Sequence, residues 1–286
     1  MGNGSVIVIG GGVGPMAGVA LHASIIANTL TDGTDQSHLC IHHYSCSELI
    51  PDRTDYLLSL APPQEEPPTG GTSGGAREFS STSDPAAGMA RVFELASRAL
   101  DGWPAVGGVP CNTFHAPAIF DRFLVQLEEN RNGIKIVNML TEAMDLIGSR
   151  FGYEAGSSGA GELIGVLSTT GTRRSGVYEI LLSKSGYRTL HVPDSDQALL
   201  HAAIYDPLWG LKATAVPSAR AVETVTAMSA RLVDAGAAAV ILACTELPLA
   251  LGGTVFRGVP LVDPMLALAR ALVREAAPQK LKPLAF

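Results

Sequence analysis

Short apolar runs alternate with longer amphipathic stretches along the chain, and the pattern occurs twice. Val6–Gly10 is a continuous apolar run ending in consecutive glycines, which predicts a buried parallel strand entering a turn. A helix is expected from about Pro15 to Thr29, a second strand at Leu39–Tyr44 and a short helix at Arg53–Leu60. Pro85 opens a helix to about Leu100, and a strand at Ala105–Val109 leads to Cys111. The second half replays this plan. A strand at Leu163–Leu167 enters Ser168-Thr169-Thr170-Gly171-Thr172, with a helix from about Ser175 and a strand at Tyr187–Val192. A long helix at Ser218–Asp234 and a strand at Ala238–Leu242 then reach Cys244. Each cysteine is followed by one more strand and helix, beginning at Ile134 and at Val259.

The two cysteine segments are 133 residues apart, while the first strand–turn units are about 157 apart. The Pro-, Gly- and Ser-rich stretch 61–84 accounts for most of that difference and reads as a mobile loop and candidate lid. Residues 154–161 read as a surface loop. The expected fold is α/β: two similar lobes related by a pseudo-two-fold, each a parallel sheet flanked by helices, with the active site between them. The first lobe takes residues 1–137 and 264–286, the second 138–263. Ligands of such sheets bind beyond the carboxyl ends of the strands. Gly10–Pro15, the 45–53 region, Cys111–His115, Ser168–Arg174 and Cys244–Glu246 all fall there.

Composition narrows the function. The chain has 286 residues, is 47% hydrophobic and 16% charged, and carries a net charge of −7 with no run of Lys or Arg. Nucleic acid and anionic membrane are therefore poor partners. Four cysteines without a pairing pattern do not form a disulfide scaffold and suit a reducing cytoplasm. The apolar N-terminus lacks a basic segment and reads as strand and turn rather than signal peptide. Residues 236–252 contain Glu246 and Pro248 and do not read as a membrane span. Gly12-Val13-Gly14-Pro15-Met16-Ala17 fits a loose dinucleotide fingerprint, but Pro15 removes an N–H that a pyrophosphate needs. Cys40, His42, Tyr44 and Cys46 share a strand face without a zinc-site spacing, so no metal site is expected.

The chemistry concentrates on Cys111 and Cys244. Each ends an apolar run in a matched frame, Pro-Cys-Asn-Thr and Ala-Cys-Thr-Glu. A thiol at the start of a helix is expected to ionise more readily, and the N–H groups there bind carboxylates. Two thiols facing each other across a small substrate suit proton removal on one face and delivery on the other.

Five segments carry a resemblance. They are Gly11-Gly12-Val13-Gly14-Pro15, Ile50-Pro51-Asp52-Arg53-Thr54, Pro110-Cys111-Asn112-Thr113-Phe114-His115, the Thr169–Thr172 run with Ser175–Tyr178, and Cys244-Thr245-Glu246. In this order, over almost the whole chain, they resemble the aspartate/glutamate racemase superfamily, and most closely its aspartate branch, where Glu follows Cys-Thr. The resemblance implies racemisation of a small acidic amino acid by a homodimer, without pyridoxal phosphate, other cofactor or metal. It makes Cys111 and Cys244 the acid/base pair and Arg53 a carboxylate clamp. Asn112, Thr113 and Thr245 become donors to the α-carboxylate, and His115 a residue that tunes the thiolate or binds substrate. Gly12, Thr170, Arg174 and Glu246 complete the implied substrate-binding set. Arg174 stands where aspartate racemases commonly carry Lys, Val13 where Met is common and Gly18 where Thr is common. A maleate isomerase or arylmalonate decarboxylase type of reaction, or a non-catalytic dicarboxylate-binding protein, are the alternatives on the same scaffold.

Overall fold

The computed structural model describes residues 4–60, 84–151, 161–214 and 216–284. The 61–84 segment lies outside them except for Asp84, and so does the 154–161 segment except for Gly161.

The first sheet contains β1 (Val6–Gly11), β2 (Ile41–Ser45), β3 (Ala105–Gly108) and β4 (Lys135–Ile136), in the order β2-β1-β3-β4 and all parallel. The second contains β5 (Leu163–Ser168), β6 (Arg188–His191), β7 (Ala239–Ala243), β8 (Val255–Phe256) and β9 (Val259–Val262), in the order β6-β5-β7-β9-β8. Among the described residues of this sheet, only β8 runs antiparallel, as a hairpin on β9. Without β8 the two sheets have the same order, so the sequence repeat is a repeat of topology. Cys111 follows β3 and Cys244 follows β7, which are equivalent strands.

The helices are α1 (Pro15–Ala27), α2 (Arg53–Leu60), α3 (Pro85–Leu100), α4 (Pro117–Glu129), α5 (Met139–Arg150), α6 (Thr170–Arg174), α7 (Val177–Lys184), α8 (Asp194–Tyr205), α9 (Ala219–Asp234), α10 (Leu247–Leu251) and α11 (Pro264–Ala276). Local chemistry fixes several ends. Asp84, Asn138, Ser218 and Asp263 each cap a helix by accepting from its first backbone N–H groups, a contribution of about 1 kcal/mol apiece. The helix expected from about Ser175 is α7, and the Ser168–Thr172 run ahead of it leads into a further short helix, α6, with Gly176 at φ +63° between the two.

Strand alternation distributes the core. Ile7 and Ile9 of β1, Ile164 and Val166 of β5 and Ile241 of β7 face one apolar cluster with α1, α5, α7 and α11. Val6 and Val8 face a second cluster with α3 and α4. Leu167, Val240 and Leu242 face a third with α8 and α9. One layer of helices thus lies between the sheets and serves both, and it holds the carboxyl ends of β3 and β7 at a common cleft. No helix among the described residues is long and apolar enough to cross a membrane.

Candidate active site

Cys111 and Cys244, both buried, line one small cavity. Val13 and Arg53 line it from the first sheet's side, followed by Asn112 and Thr113. The second side gives Thr169, Tyr205, Lys212 and Thr245. Its volume is about 10 Å³, room for about one water molecule.

The Cys111 side is held from three directions. His115 Nδ1 bonds the Cys111 carbonyl oxygen at 2.9 Å, and His115 Nε2 accepts from the Met139 N–H at 3.3 Å. Since Nε2 accepts, the proton sits on Nδ1 and the ring is neutral. Burial holds the imidazole down at about 4, against some help for the charged form from the Cys111 carbonyl. The ring stacks on Phe120 and pins the cysteine segment to the first turn of α5. His115 therefore has no nitrogen left for a substrate and does not line the cavity, which leaves, of its two implied roles, the one beside the thiolate.

Arg53 is 9% exposed, and its Nη2 donates to the Val13 carbonyl at 2.8 Å and its Nη1 to the Pro51 carbonyl at 3.2 Å. Burial opposes its charge, but the Cys111 sulfur against which the guanidinium lies, with Asp52 and Tyr205, keeps it above the ordinary arginine value. Its Nε is buried without a partner. Asn112 is also buried, its Oδ1 accepting from Tyr178 Oη at 2.5 Å and its Nδ2 having no partner. Two buried donors therefore belong to cavity-lining residues and await an acceptor.

Opposite, Cys244 Sγ donates to Glu246 Oε2 at 3.0 Å, and so does Thr245 Oγ1. Lys212 Nζ donates to Glu246 Oε1 at 2.6 Å. Burial pushes the Cys244 thiol well up and the Glu246 charge raises it further, with Lys212 opposing. The Glu246 carboxyl resists burial and stays low because of Lys212, Cys244 and Thr245. Burial disfavours the Lys212 charge, but Cys244, Glu246 and Tyr205 hold it above the ordinary lysine value. Removing either member of the Lys212–Glu246 pair alone strands a buried charge, at a cost of about 3–5 kcal/mol. Gly14, at φ +134°, backs onto this pair: a Cβ there would lie 3.1 Å from Glu246 Oε1 and 3.2 Å from Lys212 Nζ.

A line of hydroxyls joins the two sides. Thr113 Oγ1 and Thr172 Oγ1 are 2.8 Å apart, and Thr172 Oγ1 and Thr169 Oγ1 are 3.1 Å apart.

A family model described as Asp/Glu/hydantoin racemase matches residues 108–272, more than half of the chain and including both cysteines. The chain belongs to the Asp/Glu/hydantoin racemase family. Its fold matches the aspartate racemase of Picrophilus torridus over 98% of this chain and 96% of that one, with a TM-score of 0.70 at 22% identity. An aspartate racemase homologue from Pyrococcus horikoshii matches over 94% and 97%, with a TM-score of 0.59 at 19% identity. A glutamate racemase from Francisella tularensis, solved with D-glutamate, matches over 99% and 85%, with a TM-score of 0.51 at 14% identity.

Within this racemase-family fold, the residues expected at the site separate. Cys111, Cys244, Arg53, Asn112, Thr113 and Thr245 line the cavity. Glu246 lies directly behind Cys244. Gly12 stands at φ +89°, and a Cβ there would lie 2.8 Å from backbone atoms of Cys46 and Ser47, a collision. Thr170 donates its N–H to His201 Nδ1 at 3.3 Å, outside the cavity. Arg174 is exposed, and Lys212 is the cation that lines the cavity beside Arg53. Lys212, Tyr205 and Thr169 line the cavity but are not in the set of expected site residues. Thr169 sits in a singled-out motif, whereas Lys212 lies in the connection between α8 and α9, where no motif flags it. The helix-dipole argument for the thiols also changes. Cys111 precedes a single 3₁₀ turn, with α4 starting only at Pro117, and α10 has five residues. Dipole effects fade within a turn, so side chains set each sulfur's surroundings.

Proposed function

We propose that this racemase-family protein interconverts the enantiomers of a small amino acid, an acidic one first among substrates, by cofactor-independent proton transfer between Cα and the Cys111 and Cys244 sulfurs. The observation that carries this reading is that both sulfurs line the same cavity at equivalent strand ends. One thiolate takes the Cα proton while the other sulfur, as thiol, returns a proton to the opposite face, and the roles reverse for the other enantiomer. The Cα–H is a very weak acid, so negative charge developing on the α-carboxylate needs donors already in place. Asn112 Nδ2 and Arg53 Nε, both buried and unpartnered, are suited to that work. Two cations, Arg53 and Lys212, line the cavity and favour an acidic side chain.

A cavity of about 10 Å³ does not hold an amino acid, so binding is coupled to separation of its walls. The test is a panel of amino acids assayed by chiral chromatography with the wild type, Cys111→Ser and Cys244→Ser. Aspartate or glutamate is expected to racemise with the wild type and with neither variant. Full activity in either variant, or no racemisation of any acidic amino acid, refutes the reading.

A further inference from the structure

The two sulfurs sit in unequal electrostatic surroundings, although their strands are equivalent. The groups facing Cys244 are Glu246 two residues on, Lys212 from the α8–α9 connection, Tyr205 from the end of α8 and Tyr178 from α7. The nearest is an anion, which accepts the sulfur's own proton at 3.0 Å. Glu246 cannot readily turn away, because its other oxygen is held by Lys212 at 2.6 Å and Thr245 shares the first. The groups facing Cys111 are Arg53 from α2 and Tyr205. There the nearest charge is a cation, held by two backbone carbonyls and, among the described residues, with no acidic side chain bonded to it.

We propose that Glu246, fixed by Lys212, is a positioning residue that keeps the proton on Cys244 in the resting protein, so that Cys244 is the resting acid and Cys111 the resting base. Resting on the two-sulfur reading above, this assigns a polarity to a pair that the fold makes topologically alike. The proton balance is simple. The Cα proton passes to the Cys111 sulfur as the Cys244 S–H proton passes to the opposite face of Cα, leaving a Cys244 thiolate beside Glu246. That thiolate is the less comfortable of the two forms, and solvent exchange resets it. Lys212 has a double part, since it anchors Glu246 and also offsets the charge created on Cys244 during turnover.

The experiment is a pH titration of thiolate ultraviolet absorbance in full-length protein carrying Cys40→Ser and Cys46→Ser, so that only the two cavity sulfurs contribute. Absorbance reads thiolate without any reagent having to reach the closed cavity. Adding Cys111→Ala isolates Cys244, and adding Cys244→Ala isolates Cys111. The Cys244 thiolate is expected to form at a pH at least one unit above that of Cys111, a tenfold difference in equilibrium. Glu246→Gln is expected to bring the Cys244 midpoint down by at least one unit and to leave the Cys111 midpoint in place. Because Glu246→Gln leaves Lys212 unpaired, the double variant Lys212→Met/Glu246→Gln removes both charges and is expected to move Cys244 down by a smaller amount. Equal midpoints, a reversed order, or a Cys244 midpoint indifferent to Glu246 in both variants overturns the proposal. Turnover does not enter these readings. A protein that titrates in the predicted order but racemises nothing counts against the proposed function alone, and an active racemase with the reverse order counts against the polarity alone.

Discussion

Acidification tests the role assigned to His115. The perturbation is a fall in pH from 8 to 4. An unfolded chain protonates this histidine near 6.5, whereas the folded protein resists until about 4, because the ring is buried and its Nε2 accepts the Met139 N–H. A folded value depressed below the unfolded one contributes stability that is whole above 6.5, declines as pH falls and is gone below about 4. The depression from 6.5 to about 4 corresponds to about 3 kcal/mol. Other groups titrate over the same range, so the wild type is compared with His115→Asn, whose amide keeps a donor for the Cys111 carbonyl but does not titrate. Urea unfolding at half-unit pH steps gives the stability difference between the two proteins. At pH 8 the wild type is expected to be the more stable, since the variant loses the stack on Phe120. That advantage should shrink by about 3 kcal/mol on reaching pH 4, with most of the change between 6.5 and 4. A pH-independent difference, or one that grows on acidification, would show that His115 is not held neutral between Cys111 and α5.

Asp263 works in the opposite direction: burial raises its carboxyl to about 6, against its backbone bonds to α11. The raised value costs stability as pH rises from 3.8 through about 6, so Asp263→Asn, which still caps α11, should stabilise the protein by about 3 kcal/mol at pH 8 and by nothing near pH 3 in the same unfolding assay. Tyr178→Phe removes the hydroxyl that holds Asn112 Oδ1 at 2.5 Å. It should cost about 1–3 kcal/mol in stability and lower kcat/KM on an acidic amino acid about tenfold, short of the hundredfold or more that follows loss of an anion-stabilising donor outright. Gly171→Ala places a Cβ 2.4 Å from Thr54 Oγ1, on the helix that carries Arg53. About 1–3 kcal/mol of overpacking is expected, measured by thermal unfolding, together with weaker substrate binding.

Much of the fold is legible in the sequence because β1, β5 and β7, which carry the core of each sheet, are short and almost wholly apolar runs. The 3.6-residue pattern with Pro85 at the first position reproduces α3 at both ends, and Arg53–Leu60 is likewise reproduced. The helix α8 is not legible: its apolar positions Leu200, Ala203 and Ile204 are few, and the exposed Leu199 blurs their spacing. Its acidic first turn, Asp194 and Asp196, is the signal that marks it. Missing α8 also hides Tyr205 and Lys212, because the connection after α8 is what brings the lysine to Glu246. The two cysteines announce themselves by their matched frames. Their different neighbours do not, since Arg53 and Lys212 are distant in sequence from the sulfurs beside which they lie. His115 misleads for a related reason: its spacing of four from Cys111 is real, but it serves a backbone bond to the Cys111 carbonyl rather than the cavity.

The most direct test of the two-sulfur account is racemisation in D₂O, stopped at low conversion, with the Cα position of each enantiomer read by NMR after chiral separation. With acid and base on opposite faces, the product enantiomer should carry deuterium at Cα while the remaining substrate stays protiated, and both cysteine variants should leave Cα untouched. Product that retains the substrate's own proton, or deuterium that enters unreacted substrate as fast as product, would contradict proton transfer between Cys111 and Cys244.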